Sequence, residues 1–130
     1  MKVTLLGTGA PLHPTRNTVG LLVEAAGCQP LLIDSCGGFE LSSALALQGY
    51  QGARMDELGD LIVTHRHGDH IGGVMPLFLA LKKLRIYGLQ DTLTAVDTLL
   101  DTCYPHFGAV RGHGTTFTPI ESGQRHQIDR

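Results

Sequence analysis

Residues 60–70 read DLIVTHRHGDH, a short apolar segment followed directly by a polar segment with three histidines and an aspartate. The first part, Asp60 to Val63, is predicted to form a buried strand, and Thr64 to His70 is predicted to form the loop at its carboxyl end. Binding and catalytic residues are often found on loops that a rigid scaffold positions. This stretch therefore predicts a strand of the central sheet with a functional site beside it.

Imidazole nitrogens and a carboxylate are the ligands that borderline metal ions such as Zn²⁺ prefer. In an extended segment His65 and His67 point to the same side, and the turn that Gly68 permits would swing Asp69 and His70 toward a second position. The spacing therefore predicts two metal ions, which would polarise a substrate oxygen and hold a hydroxide for attack on a phosphoester. Asp69 is the candidate for both ligand and proton acceptor. The alternative is a surface cluster of histidines without a metal.

The remaining sequence predicts strands that alternate with helices, which is typical of a layered α/β domain. Gly27 marks a hairpin turn near the beginning, and a hairpin favours a mixed sheet over a purely parallel one. The predicted strands are Val3–Leu6, Val19–Val23, Leu31–Ile33, Asp60–Val63 and Leu84–Tyr87, and the predicted helices span residues 39–47, 71–84 and 92–100. A hairpin of Thr115–Ile120 and Arg125–Ile128 is predicted for the tail, with its second strand cut off by the chain end.

Length and composition indicate one soluble globular domain over residues 1–130, with 42% apolar and 17% charged residues. A net charge of -2 argues against a general nucleic-acid coat, which would require many cations. The basic cluster Lys82–Arg85 is interpreted as the solvated end of a helix, with a phosphate site as the alternative. The sequence contains no apolar run of roughly 18 residues and no signal peptide, so we expect a cytoplasmic protein without a membrane span.

The three cysteines, Cys28, Cys36 and Cys103, form no C-x-x-C pair. An odd number of widely spaced cysteines favours neither a disulfide framework nor a zinc ribbon. We therefore expect them to be small core residues.

The segment His65-x-His67-x-Asp69-His70 resembles the H-x-H-x-D-H signature of the metallo-β-lactamase superfamily. Leu31 to Asp34 followed by Gly37 resembles the earlier aspartate motif of that family. Val3 to Pro11 with Arg16-Asn17 resembles the opening of its ribonuclease Z and related phosphodiesterase branch. The resemblance covers nearly the whole chain.

This resemblance implies the amino-terminal half of an αββα sandwich that binds two zinc ions in its complete site. It assigns His65 and His67 to the first zinc and Asp69 and His70 to the second. Asp34 would lie behind these ligands and orient the loop, although a turn aspartate that caps the following helix is the alternative for Asp34 alone. His13 lies in the loop that approaches the mouth of the site in this family, which makes it a candidate substrate contact.

The second half of that fold supplies a third histidine, a bridging aspartate and a final histidine, and none is clearly present in this sequence. His106, His113 and His126 are interpreted as ordinary surface residues. The chain is therefore expected to be truncated at its carboxyl end, with under-ligated metal sites. We also expect it to form a homo-oligomer or to associate with a missing half.

The function predicted from these observations is zinc-dependent hydrolysis of phosphodiester or related ester bonds. Candidate substrates are RNA precursors, cyclic nucleotides, small phosphodiesters and aryl sulfates, and the low basicity favours a small substrate. Two alternatives stay open. They are a tRNA 3′-processing endoribonuclease and a catalytically incomplete fragment or subunit that needs a second half.

Overall fold

The computed structural model describes residues 1–106 and 114–128, and one sheet runs through this part of the chain. The strands follow one another across it in the order β1-β2-β3-β4-β5-β6. They are β1 (Lys2–Gly7), β2 (Gly20–Glu24), β3 (Leu31–Ser35), β4 (Asp60–Val63), β5 (Lys83–Gly88) and β6 (Gly114–Pro119). The helices are α1 (Glu40–Leu47), α2 (Gly68–Ile71), α3 (Val74–Ala80) and α4 (Gln90–Cys103), with a 3-10 helix at Gly52–Glu57.

The sheet is mixed, as the sequence predicted. Strands β1, β2 and β3 pair antiparallel, and β3 to β6 pair parallel. The antiparallel part follows from the short turn between β2 and β3, where Gly27 adopts a φ of +74° that few other residues tolerate. The parallel part requires crossover connections, and α1 and the helices α2, α3 and α4 lie within them. The α/β class with a mixed sheet and flanking helices is thereby confirmed.

The two faces of the sheet are covered unequally. On the helical face, Leu22, Leu32, Leu61 and Ile86 are paired across neighbouring strands and belong to one buried cluster with side chains of α1, α3 and α4. On the other face, Leu5 of β1 is 64% exposed. Burying a leucine stabilises a fold by roughly 1.5–3 kcal/mol, so the helical face provides most of the core energy.

The single helix predicted for residues 71–84 is wrong. The chain forms α2 and α3 instead, because Gly72 and Gly73 press against the backbone of the turn after β3. Pro76 lies in the first turn of α3, where its missing N–H is tolerated, whereas it would break a helix that began earlier. The cluster Lys82–Arg85 consequently enters β5 and is not a helix end.

The hairpin predicted for the tail is also wrong. Strand β6 pairs parallel with β5, and residues 120–128 contain no strand. Pro119 ends β6 without a backbone N–H, and the following segment Arg125–Ile128 has a single apolar residue to bury. In the part of the chain that the structure describes, no helix is both long and apolar enough to cross a membrane.

Candidate metal centre

The residues of the predicted site meet at one edge of the sheet. Strands β3 and β4 are parallel neighbours, with Ile33 opposite Ile62, so their carboxyl ends lie side by side. Asp34 stands at the end of β3, and Thr64 directly follows β4. This edge is where α/β sheets commonly place ligand sites.

Asp34 is the buried centre of this edge, with only 3% of its surface exposed. One of its carboxylate oxygens accepts hydrogen bonds from the backbone N–H of Thr64 at 2.8 Å and from its hydroxyl at 3.0 Å. The other lies 2.8 Å from the Thr64 hydroxyl and 2.8 Å from Nδ1 of His70. A buried carboxylate requires such partners, so the side chain is fixed in place.

The backbone around Asp34 turns sharply. Asp34 and Cys36 have φ angles of +56° and +60°, in the left-handed region that side chains other than glycine rarely adopt. Strained backbone of this kind tends to occur at functional sites. Here it directs the Asp34 carboxylate toward the loop after β4, while Ser35 donates a hydrogen bond of 2.8 Å to the backbone carbonyl of His70.

Helix α2 is held against this turn by close backbone contact. A Cβ atom on Gly73 would overlap the carbonyl oxygen of Ser35, and one on Gly72 would overlap that of Gly37. The N–H of Gly73 also donates to the carbonyl of Cys36 at 3.2 Å. Only glycine permits this approach, which brings His70 within reach of Asp34.

The ring of His65 contacts the rings of both His67 and His70. Nε2 of His65 lies 3.2 Å from Nδ1 of His67, and the ring centroids of His65 and His70 are 4.0 Å apart. Asp69 Oδ2 lies 3.5 Å from His70 Nε2. All four residues of the predicted ligand set therefore lie in one cluster at the carboxyl end of β4.

The chemistry of this cluster suits a borderline metal ion, since it combines imidazole nitrogens with a carboxylate. His70 uses Nδ1 to contact Asp34, which leaves Nε2 directed toward Asp69, and metal-binding histidines commonly have such a carboxylate partner. Over residues 1–106 and 114–128, however, no three His, Cys, Asp or Glu side chains converge as a ligand set for one ion. The donors fit zinc in kind, whereas the described residues do not complete a ligand set for an ion.

The other histidines lie apart from these contacts. His13 is exposed in the loop after β1, where its Nδ1 accepts a hydrogen bond of 3.3 Å from the N–H of Thr15. His106 is exposed after α4, and Nε2 of His126 accepts from the N–H of Glu121 at 3.0 Å. His113 lies outside the described residues.

The expectation that the cysteines fill the core is right for Cys36 and wrong for the other two. Cys36 is buried, and burial, followed by the charges of Glu40 and Asp34, raises the pKa of its thiol to about 12. Cys28 lies in the turn between β2 and β3, and Cys103 is the last residue of α4, so both are exposed. The Cys36 thiol is thus a protonated packing group and not a nucleophile.

Sequence reasoning did not single out Thr64 and Ser35. Thr64 is the residue between the strand and the first histidine, and Ser35 directly follows Asp34. A hydroxyl side chain at the carboxyl end of each strand was the available signal. That these hydroxyls belong to the site follows only from the pairing of β3 with β4, which the sequence does not display.

Comparison with solved structures identifies the fold. The chain is similar to the short form of human tRNase Z, with a TM-score of 0.65 and 23% identity over 95% of this chain and 47% of that one. It is also similar to a metallo-beta-lactamase from Pontibacter korlensis, with a TM-score of 0.56 and 19% identity over 95% of this chain and 50% of that one. The described residues thus have the metallo-β-lactamase fold.

Sequence comparison identifies the family within this fold. The profile of the family described as Anti-Pycsar protein Apyc1 matches residues 1–102, and the chain belongs to that family. It is also 31% identical to ribonuclease Z of Mycolicibacterium gilvum (strain PYR-GCK), over 93% of this chain and 45% of that protein. The chain spans about half the length of the curated relatives that it matches.

Proposed function

We propose that this protein is a metal-dependent hydrolase of phosphodiester bonds, with zinc held by His65, His67, Asp69 and His70. The observation that carries this proposal is the cluster of these four side chains around the buried carboxylate of Asp34. The family match and the fold support it. When bound, zinc acts as a Lewis acid toward a phosphoryl oxygen and allows water to act as a nucleophile at neutral pH.

Each residue of the cluster has a distinct part in this proposal. His65 and His67 offer ring nitrogens for one ion, and His70 and Asp69 offer a nitrogen and an oxygen for the other. Asp69 is 22% exposed, so its carboxylate reaches solvent and is suited to orient water and accept its proton. Asp34 keeps the ring of His70 in one orientation, which favours zinc binding by fixing the ligand in advance.

The substrate class that we favour is a small phosphodiester such as a cyclic nucleotide. The chain has 10 Lys and Arg residues against 12 Asp and Glu, and Arg66, which stands between His65 and His67 in the sequence, lies 3.6 Å from the carboxylate of Asp91. A long RNA would require several cations that contact phosphates. The second candidate is tRNA 3′ processing, and it is supported by similarity to proteins named ribonuclease Z.

The ligand count supports a further part of the proposal. Two protein donors for each ion fall short of the three or four that zinc sites usually have. We therefore propose that additional donors come from outside this cluster, supplied by further polypeptide or a second copy of the chain. The exposed apolar side chains Val3 and Leu5 on the open face of the sheet offer a surface for such an association.

The experiment measures hydrolysis of bis(p-nitrophenyl) phosphate, a cyclic mononucleotide and a precursor tRNA by the zinc-loaded 130-residue chain. Because the sites are under-ligated, we expect little turnover by this chain alone. In an assembly that supplies the missing donors, we expect turnover of the small phosphodiesters, and we expect Asp69→Ala to reduce it by roughly 100-fold or more because water loses its proton acceptor. His126→Asn is the matched control, since this histidine contacts only Glu121 among the described hydrogen bonds.

Zinc content after dialysis, measured by atomic emission, separates the alternatives. A chain that keeps two zinc ions and hydrolyses none of the three substrates would contradict the hydrolase proposal. A chain that loses zinc and is inactive would favour the incomplete site. Preferential cleavage of the precursor tRNA would favour the second candidate.

A further inference from the structure

Glu40, the first residue of α1, joins two segments that are distant in the sequence. Its Oε1 accepts a hydrogen bond of 3.0 Å from the backbone N–H of Gly37 and one of 3.1 Å from the hydroxyl of Thr18. Thr18 is only 9% exposed, in the segment that leads into β2. A carboxylate oxygen can accept both bonds at once. Glu40 therefore ties the turn after β3 to the beginning of β2.

Gly37 is enclosed by this arrangement. A Cβ atom at Gly37 would lie 3.2 Å from the Thr18 hydroxyl oxygen, 3.3 Å from Glu40 Oε1 and 3.5 Å from the Cα atom of Asp69. Its carbonyl oxygen faces Gly72, where a Cβ atom would overlap it. The backbone of Gly37 thus stands between the Glu40 carboxylate on one side and α2 on the other.

The turn after β3 contacts α2 at both ends of that helix. Near the carboxyl end, Ser35 donates its hydrogen bond of 2.8 Å to the carbonyl of His70. Near the amino end, Gly37 lies against the backbone of Asp69. The two ends of α2 are thus supported by different residues of one turn, and Glu40 fixes the residue that supports Asp69.

We infer that Glu40 is a positioning residue that sets the backbone of Asp69 through Gly37. Asp69 is the proposed ligand and proton acceptor, so its placement decides one of the two proposed metal positions. The other position uses His65 and His67, which follow β4 and have no printed contact with Glu40 or Gly37 among the described hydrogen bonds. The part of this inference that concerns zinc rests on the proposed function, whereas the part that concerns the Asp69 backbone does not.

A role as a local helix cap makes a different prediction. A glutamate in the first turn of a helix often accepts a hydrogen bond from a backbone N–H just before the helix, and its charge suits the helix dipole. A cap of this kind stabilises α1 and leaves Asp69 in place. The positioning role requires in addition that the loss of Glu40 moves Asp69.

Four variants separate the two roles. Glu40→Ala removes the acceptor, and Glu40→Gln keeps an oxygen acceptor of the same shape without the charge. Thr18→Val removes one of the two donors and keeps the branched shape. Glu57→Ala is the matched control, since Glu57 pairs with Arg54 at an exposed position.

The first measurement is the nuclear Overhauser effect between the Hα protons of Gly37 and Asp69 in the zinc-free chain. We expect this signal in the wild type, in Glu40→Gln and in Glu57→Ala. It should be weaker in Thr18→Val and lost in Glu40→Ala. A helix cap predicts instead that Glu40→Ala lowers stability in urea and keeps the signal.

The second measurement is zinc titration calorimetry. Glu40→Ala should lower the affinity for one zinc ion roughly 10-fold, because residues that hold a ligand in place commonly affect metal affinity to this extent, and Glu40→Gln should recover it. The ion affected should be the one that Asp69→Ala also weakens. In the double variant, Glu40→Ala should add nothing further, since the ligand that it positions is absent.

An unchanged Gly37–Asp69 signal in Glu40→Ala would overturn the inference, and so would an equal loss of affinity for both ions. If Glu40→Ala fails to fold, absence of the signal in the wild type or an undiminished signal in Thr18→Val would overturn it. A chain that shows the expected signals and binds no zinc, alone or in an assembly that supplies the missing donors, would contradict the proposed function alone.

Discussion

Asp34 and Asp60 are two equally buried carboxylates at opposite ends of neighbouring strands. Each is 3% exposed, Asp34 at the carboxyl end of β3 and Asp60 at the beginning of β4. Asp60 accepts a hydrogen bond of 2.6 Å from the guanidinium of Arg85, its direct neighbour in register on β5, and a longer one of 3.4 Å from Tyr87. Asp34 contacts a threonine and a histidine instead.

The partners account for the difference between the two ends of the sheet. Arginine stays charged and pairs with a carboxylate in a fixed geometry, so the pair of Asp60 and Arg85 links β4 to β5. The partners of Asp34 make further polar contacts within the cluster, since the Thr64 hydroxyl lies 3.0 Å from Nδ1 of His65 and Nε2 of His70 lies 3.5 Å from the carboxylate of Asp69. The buried carboxylate of Asp60 thus stabilises the pairing of β4 with β5, whereas the buried carboxylate of Asp34 fixes the orientation of candidate metal ligands.

The largest effect that we expect is on stability at the Asp60 end. Asp60→Ala removes the buried carboxylate that pairs with Arg85, and because Arg85 is 33% exposed we expect a loss near the low end for buried pairs, about 3 kcal/mol of unfolding free energy. Urea denaturation measures this loss. Asp56→Ala is the matched control, since its surface pair with Lys82 is worth at most about 1 kcal/mol. Equal losses in both variants would contradict this account of Asp60.

The next effect concerns the Asp34 end and is expected mainly in metal binding. Asp34→Asn removes the charge that holds His70 and Thr64, so we expect zinc affinity to fall roughly 10–100-fold, with a smaller loss of about 1–3 kcal/mol in unfolding free energy. Titration calorimetry measures the zinc affinity, and urea denaturation measures the unfolding free energy. If Asp34→Asn destabilised the fold as much as Asp60→Ala and left zinc affinity intact, the contrast between the two carboxylates would fail.

Local patterns in the sequence were sufficient to predict much of the fold. Apolar runs and their spacing located strands β1 to β5 and the helices α1 and α4, because these signals lie within a few neighbouring residues. The ligand cluster was predicted for the same reason, since its four residues lie within six positions of one another. Asp34 was included in the predicted site because its motif resembles the earlier aspartate motif of the superfamily.

Three of the errors and omissions depend on contacts between distant residues. The break between α2 and α3 is imposed by the backbone of Ser35, which lies on another element. Arg85 was interpreted as solvated because its partner Asp60 lies 25 positions away and is adjacent only in the parallel register. Thr64 was missed since its partner is 30 positions distant. The periodic spacing of apolar residues along the chain does not indicate which distant residues form such pairs.

The smallest effect that we expect is on stability at alkaline pH. It concerns the Asp34 end of the sheet and arises from the buried thiol of Cys36. Burial, with smaller contributions from Glu40 and Asp34, raises the pKa of this thiol from an ordinary value of 9.0 to about 12. Between pH 9 and 12 the unfolded chain therefore loses this proton while the folded chain keeps it, so stability is fully present below pH 9 and falls as the pH rises. Urea midpoints over this window should fall less in Cys36→Ala.

Thiol labelling under native conditions provides an independent measurement of the same burial. An alkylating reagent should modify Cys28 and Cys103 promptly and Cys36 only after unfolding, because only thiolates react. Asp34→Asn removes one of the charges that raise the Cys36 pKa, whereas Asp60→Asn leaves them all in place. The loss of stability at alkaline pH should therefore be slightly smaller in Asp34→Asn and unchanged in Asp60→Asn. Identical behaviour of the two variants, or rapid native labelling of all three thiols, would show that the Asp34 end is less closed than its contacts indicate.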